Sequence, residues 1–158
     1  MLLMKIFLIS ILVGMMILLS SDSQTEYLNS HNDARSKVGV SPLVWDDTVA
    51  AYAQNYANER IADCALEHSS GSPYGENVYV SSGEATPADA MKLWVDEEQY
   101  YDYDSNSCAQ GQQCGHYTQV VWSNTQRVGC GGVTCDNEGT FIICSYDPPG
   151  NFNGQRPY

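Results

Sequence analysis

The stretch RVGCGGVTCDNEGTFIICSY, Arg127 to Tyr146, decides the fold. Two runs rich in valine, isoleucine and phenylalanine, Arg127 to Cys135 and Thr140 to Tyr146, flank Asp136-Asn137-Glu138-Gly139. Asp, Asn and Gly tolerate the backbone conformations of a tight turn, so the stretch reads as a β-hairpin. A register centred on Asn137 places Cys130 opposite Cys144 and Val133 opposite Phe141. Residues directly opposite on antiparallel strands stand close enough for a disulfide, so a Cys130–Cys144 bridge is geometrically reasonable.

Upstream of the hairpin the period changes from two to 3.6. From Thr25 to Val38, Tyr27, Leu28, His31, Ala34 and Val38 fall at helical spacing, and Gly39 can close the helix in a left-handed cap. Asp46 is placed to cap a second helix with an apolar stripe of Val49, Ala50, Ala53, Tyr56, Ala57 and Ile61. Gly75 to Val80 alternates, with Tyr74, Glu76, Val78 and Val80 on one parity and Asn77 and Tyr79 on the other; this predicts a strand. Thr86-Pro87-Ala88-Asp89 is a helix start, predicting a third helix that runs to about Tyr101. Helices, a strand, a helix and a hairpin give an α+β fold with helices packed on an antiparallel sheet.

The first residues carry Lys5 and then an uncharged run, Ile6 to Leu19, too short to span a membrane. Small residues at Ser21 and Ser23 precede Gln24. Residues 1–23 are read as a secretory signal peptide and 24–158 as a single domain. A domain of that size buries roughly two-thirds of its unfolded surface. All six cysteines, Cys64, Cys108, Cys114, Cys130, Cys135 and Cys144, lie in that domain. An even count behind a signal peptide predicts three disulfides in an oxidising compartment, and no Cys-x-x-Cys pair supports a zinc cluster. The net charge of −12 disfavours nucleic acid and anionic membrane surfaces as partners.

Three histidines occur. His31 lies on the apolar face of the first helix and is read as a core residue. His68 sits in a loop shaped by Gly71, Pro73 and Gly75, close in sequence to Glu76. His116 lies in Cys114-Gly-His-Tyr-Thr-Gln-Val-Val-Trp122. His68, Glu76 and His116 all fall in turn or strand sequence. In the third helix Trp94 centres an apolar arc with Ala90, Met91, Leu93 and Tyr101; Glu97 and Glu98 both fall inside it, and the pattern does not choose between them. Two histidines and two carboxylates can bind a divalent ion or act as acid and base. They can equally form a structural network in which each Glu holds a His, raising the histidine's pKa. No Gly-x-Ser-x-Gly elbow exists, and six paired cysteines leave no thiol nucleophile.

Taken together, the chain resembles the plant pathogenesis-related group 1 proteins of the CAP superfamily. The resemblance rests on Tyr27-Leu28, His31-Asn32, Ala34-Arg35, Trp45-Asp46, Ala53-Gln54-Asn55-Tyr56, Tyr74-Gly75-Glu76-Asn77, Trp94-Val95-Asp96-Glu97, the block Cys114 to Trp122, and Tyr146-Asp147-Pro148. It implies a three-layer α-β-α sandwich with disulfides Cys64–Cys135, Cys108–Cys114 and Cys130–Cys144. It implies a central cavity tetrad of His68, Glu76, Glu97 and His116, which selects Glu97 over Glu98. Catalytic residues and a required cofactor are not implied, although relatives bind metal at the tetrad, making His68 and His116 candidate ligands for a divalent ion such as zinc. The resemblance implies secretion to the plant apoplast, activity against oomycetes and fungi, and binding of sterols or related lipids, with pathogen membrane components as partners. A monomer is expected. A metal-dependent hydrolase using the tetrad is the alternative. Cleavage between Asp147 and Pro148 by a protease would release an immune peptide, residues 148–158; here Cys144-Ser145-Tyr146 departs from the usual Cys-Asn-Tyr.

Overall fold

Strands β5 (Arg127–Thr134) and β6 (Thr140–Asp147) pair antiparallel with Cys130 opposite Cys144 and Val133 opposite Phe141, the register centred on Asn137. A computed structural model describes residues 21–158 of the chain; the leader assigned to residues 1–23 lies outside the described residues except for its last three. Helix α1 is in place at residue 21 and runs to 37, with Gly39 at φ +75° beyond it. Strand β1 (Val44–Trp45) leads directly into α2 (Asp47–Glu59). The Asp46 carboxylate caps α2 by accepting from the N–H groups of Thr48 and Val49 at 2.9 and 3.0 Å.

Strand β2 (Gly75–Ser81) precedes α3 (Pro87–Asp96), which opens with a reciprocal capping box between Thr86 and Asp89. Helix α3 stops at Asp96, short of the expected Tyr101, and tightens into a 3₁₀ turn over Glu97–Tyr100. The tightening rotates the last residues: Glu97 turns inward and Glu98 outward. Leu93, expected in the apolar arc, is half exposed. Short strands β3 (Tyr101–Asp102) and β4 (Ser107–Cys108) follow, then α4 (Gly115–Val120). His116 is therefore helical, not in a turn or strand.

The main sheet has the order β1-β5-β6-β2, antiparallel apart from the β1–β5 pair, which is parallel over two residues. That two-residue β1 was not anticipated. Both sheet faces are covered, so the alternation along each strand sorts residues between two cores rather than between core and solvent. Val78, Phe141 and Ile143 face α2 and its buried Ala53 and Ala57. Cys130, Ile142, Cys144 and Tyr146 face α1, α3 and α4 through Tyr27, Met91, Trp94 and Tyr117. This is a three-layer α-β-α sandwich. Helix α2 approaches β5 closely because Gly129 and Gly131 face it: a Cβ on Gly129 would stand 2.1 Å from the Ala50 nitrogen. The disulfides are Cys64–Cys135, Cys108–Cys114 and Cys130–Cys144, the pairing that the resemblance implied.

Two buried basic side chains, one charged and one neutral, extend from α1. Arg35 is fully buried and, among the described residues, meets no carboxylate; its guanidinium donates to the carbonyls of Ser41 (2.7 Å), Val120 (3.0 Å), Trp122 (2.8 Å) and Thr125 (3.1 Å). Burial lowers its pKa to about 10, so it stays charged. His31 is fully buried; its Nδ1–H donates to the Tyr27 carbonyl at 2.7 Å, so Nε2 accepts from the Tyr146 hydroxyl at 2.8 Å. Burial, reinforced by the charge of Arg35 and only partly offset by the Tyr27 carbonyl, drops its pKa from 6.5 to about 4.

Below 6.5 the unfolded chain takes up a proton that native His31 refuses. Stability should therefore fall by roughly 3 kcal/mol as pH drops from that value to about 4. Urea unfolding at pH ~7 and ~4.5 measures this, and a His31→Gln variant should show a flatter dependence.

Candidate functional site

Two histidine–glutamate pairs flank the edge strand β2, one in each layer. Glu76, on β2, points to the α2 side with its side chain 4% exposed. It accepts from the Ser69 N–H at 3.0 Å and from the Ser69 hydroxyl, which also meets the Tyr52 hydroxyl. His68 Nδ1 reaches the same carboxylate at 3.3 Å, while its ring is 62% exposed. Glu76 is pushed up by burial, but the bonds from His68 and Ser69 outweigh this and its pKa is lowered. The His68 pKa is raised by its hydrogen bond to Glu76, against a smaller opposing effect of burial.

The second pair is tighter. Glu97 lies at the α3–3₁₀ junction and faces the start of α4, whose N-cap residue Cys114 supplies no side-chain bond. The Glu97 carboxylate takes that role from outside the helix, accepting from the N–H groups of His116 (2.9 Å) and Tyr117 (3.1 Å). Its other oxygen accepts from His116 Nδ1 at 2.6 Å. An anion at a helix N-terminus is favourable on both hydrogen-bonding and dipole grounds. Trp94 stacks near the His116 ring at 6.2 Å and 18°. Asn77, on the opposite parity of β2 from Glu76, donates to the His116 carbonyl and to the Tyr146 hydroxyl, both at 3.0 Å. A buried chain of bonds thus runs from His31 through Tyr146 and Asn77 to the backbone of His116.

His68, Glu76 and His116 line one cleft of about 360 Å³ with Asn77, Cys114 and Asn151. Glu97 stands behind His116 and borders a neighbouring depression with Leu93 and Tyr100. In both histidines Nδ1 is engaged by a carboxylate, which leaves Nε2 as the nitrogen available to a ligand. Among the described residues no three His, Cys, Asp or Glu side chains converge as a set that could hold a metal ion. Two residues that sequence reasoning passed over also build the cleft. Asn77 is signalled only by its parity on β2. Asn151 comes from the C-terminal segment, donates to the Gly115 carbonyl (2.8 Å) and accepts from the Thr118 hydroxyl (2.7 Å).

The CAP pattern, that of the cysteine-rich secretory protein family, matches residues 28–146, a span that contains both histidine–glutamate pairs and all six cysteines. The chain belongs to the CAP family. Pathogenesis-related protein 1A of Nicotiana tabacum is 61% identical over 140 residues, covering 88% of this chain and 83% of that protein. Pathogenesis-related protein 1 of Arabidopsis thaliana is 53% identical over 149 residues, covering 93% and 91%. The crystal structure of NaASP2 with Zn2+ superposes with a TM-score of 0.71 at 26% identity, covering 86% of this chain and 84% of that one. Membership of the CAP family does not by itself assign a catalytic activity. The three disulfides fit an oxidising compartment.

His68 contributes stability that is fully present below its ordinary pKa and fades as pH rises through the raised one; Glu76 contributes above the ordinary carboxylate range and loses it as pH falls through its lowered value. The His68–Glu76 pair is therefore strongest at mildly acidic pH. NMR titration of a Glu76→Gln variant should show the His68 pKa moving down toward its ordinary value. Glu97→Gln should cost about 1–3 kcal/mol in urea unfolding, because it weakens the cap of α4 and the hold on His116, whereas Glu98→Gln should stay within about 0.5 kcal/mol.

Proposed function

We propose that this protein is a secreted plant defence protein of the apoplast that acts against oomycetes and fungi by binding sterols or related lipids. The observation that carries the reading is the 61% identity, over 88% of the chain, to a tobacco pathogenesis-related protein. Both histidine–glutamate arrangements are satisfied polar networks, which favours a binding scaffold over a reaction centre. Support for a lipid ligand comes from a groove of about 240 Å³ between α1 and α3, where Ala34, Ala88, Met91 and Val95 form an apolar strip and Lys37 and Lys92 provide polar rims. An open groove of this size can take one edge of a rigid apolar ligand, with a polar group of the ligand at the charged rim, and does not enclose it.

Titration of the oxidised protein with labelled ergosterol or cholesterol tests the reading. Saturable binding is expected, with a loss of roughly tenfold when Ala88→Trp fills the exposed mouth of the groove. No saturable binding would overturn lipid binding; full binding in the variant would place the ligand elsewhere.

The metal-dependent alternative draws on the free Nε2 atoms of His68 and His116. Two imidazoles fall short of the three protein ligands that hold a catalytic zinc, so the donor set does not fit a catalytic centre and no reaction step is drawn through it. A weakly held, exchangeable ion is the form of metal binding this pair supports. Zinc titration should give binding that disappears in the His68→Ala/His116→Ala double variant, and antimicrobial potency should survive that change.

Release of residues 148–158 is a second role compatible with the first. Support is mixed. The segment is largely exposed, but the Pro148 carbonyl accepts from Thr125 (2.9 Å), the Gly150 N–H donates to Gln119 (3.0 Å), the Ser123 N–H donates to the Pro157 carbonyl (2.7 Å), and Tyr158 stacks on Tyr103. Cleavage between Asp147 and Pro148 therefore requires this segment to detach first. Mass spectrometry of apoplastic fluid from challenged tissue should detect the eleven-residue peptide, and its consistent absence would count against release.

A further inference from the structure

The outer edge of β5 carries no paired strand beyond its first two residues; Gly132 and Thr134 are exposed there, whereas Cys130 lies at the floor of the edge, 7% exposed. Strand β1 pairs with β5 only at Arg127 and Val128 and then ends, because Asp46 turns aside to cap α2. Main-chain groups of even-numbered residues on β5 point to this edge. The Val128 carbonyl accepts from the Asp46 N–H at 3.0 Å, and both outward groups of Gly132 are taken by the Gln54 side chain, whose carboxamide accepts from the Gly132 N–H and donates to its carbonyl, each at 3.1 Å. Residues two apart on a strand share a direction, so the N–H and C=O of Cys130 and Thr134 face the same way. Among the described residues no hydrogen bond reaches them from this side.

These groups border a cleft of about 550 Å³ between the two helical layers, walled by Tyr27 and Trp45 on one side and by Ala50 and Gln54 of α2 on the other. The Tyr27 and Trp45 rings stack at 6.5 Å, and the Trp45 indole N–H donates to one oxygen of Asp47, the charged residue of the lining. Nothing in the lipid, metal or peptide-release readings uses this face.

We propose that this cleft binds an extended peptide segment of a partner protein as an additional strand on β5. Its main chain pairs with Cys130 and Thr134, an apolar side chain packs on Trp45, and a basic side chain meets Asp47. Three observations select a peptide. The free donors and acceptors repeat along an extended strand at a separation of about 13 Å, which a peptide backbone matches. The Gln54 carboxamide, chemically a peptide group, already pairs with Gly132 as a neighbouring strand would. The charge of −12 and the placement of Asp47 favour a basic partner. The incoming strand displaces the Gln54 side chain, which thus guards the edge against indiscriminate pairing.

The test is selection of a random octapeptide library on the secreted, oxidised protein, followed by calorimetry with the enriched peptides. Enriched peptides should carry a lysine or arginine among β-branched residues. Methylating the backbone nitrogens on the face that pairs with β5 should weaken binding by roughly tenfold or more. Gln54→Ala should tighten binding, since no side chain has to be displaced. Thr134→Pro should weaken it while leaving the ladder to β6 intact, because the lost N–H points outward. Hydrogen exchange should slow at the Cys130 and Thr134 amides on binding, a readout that does not depend on any variant folding. Failure to enrich any peptide, binding indifferent to backbone methylation, or unchanged exchange at both amides would each overturn the proposal.

Discussion

A six-residue helix held between a buried anion and a buried cation is the constraint on which the site depends. Helix α4 is too short to persist on its own. Glu97 satisfies its first N–H groups, and Arg35 gathers the carbonyls of Val120, Trp122 and Thr125 at its other end. Each charge complements the helix dipole; among the described residues Arg35 is held by backbone carbonyls, and Glu97 by two backbone N–H groups together with the His116 ring. Because the carboxylate that caps the helix also holds His116 Nδ1, the position of that imidazole follows from the folding of α4.

The two histidine–glutamate pairs are consequently unequal. His116 is locked between Glu97, Trp94 and the Asn77 bond to its carbonyl. His68 is mostly exposed, held by one longer contact to a buried carboxylate. One side of the cleft is rigid and the other responds to solvent and pH. The C-terminal segment completes the enclosure through Asn151, so its detachment would remove one wall of the cleft.

Much of the fold was legible because its determinants are local. The Asp46 cap, the Thr86–Asp89 capping box and the hairpin register each follow from side chains acting on backbone within a few residues. The alternation on β2 was equally clear, yet its meaning was not: with helices on both faces, Glu76 and Asn77 are both inward, each serving a different layer. The block from Cys114 to Trp122 read as turn or strand since its aromatic and β-branched residues favour extended chain. It is helical because Glu97, distant in sequence, supplies the cap.

The amino-acid sequence by itself determined the order of elements, the register that joins Cys130 to Cys144, and the family. Tertiary structure alone decided which of Glu97 and Glu98 is buried on physical grounds, since both fall on the apolar arc of an ideal helix and only the 3₁₀ tightening separates them. It also decided that Arg35 is a structural cation, that Asn151 closes the cleft, and that β5 is left with an open edge. These depend on groups brought together across the chain, and no local pattern of residues records such a meeting.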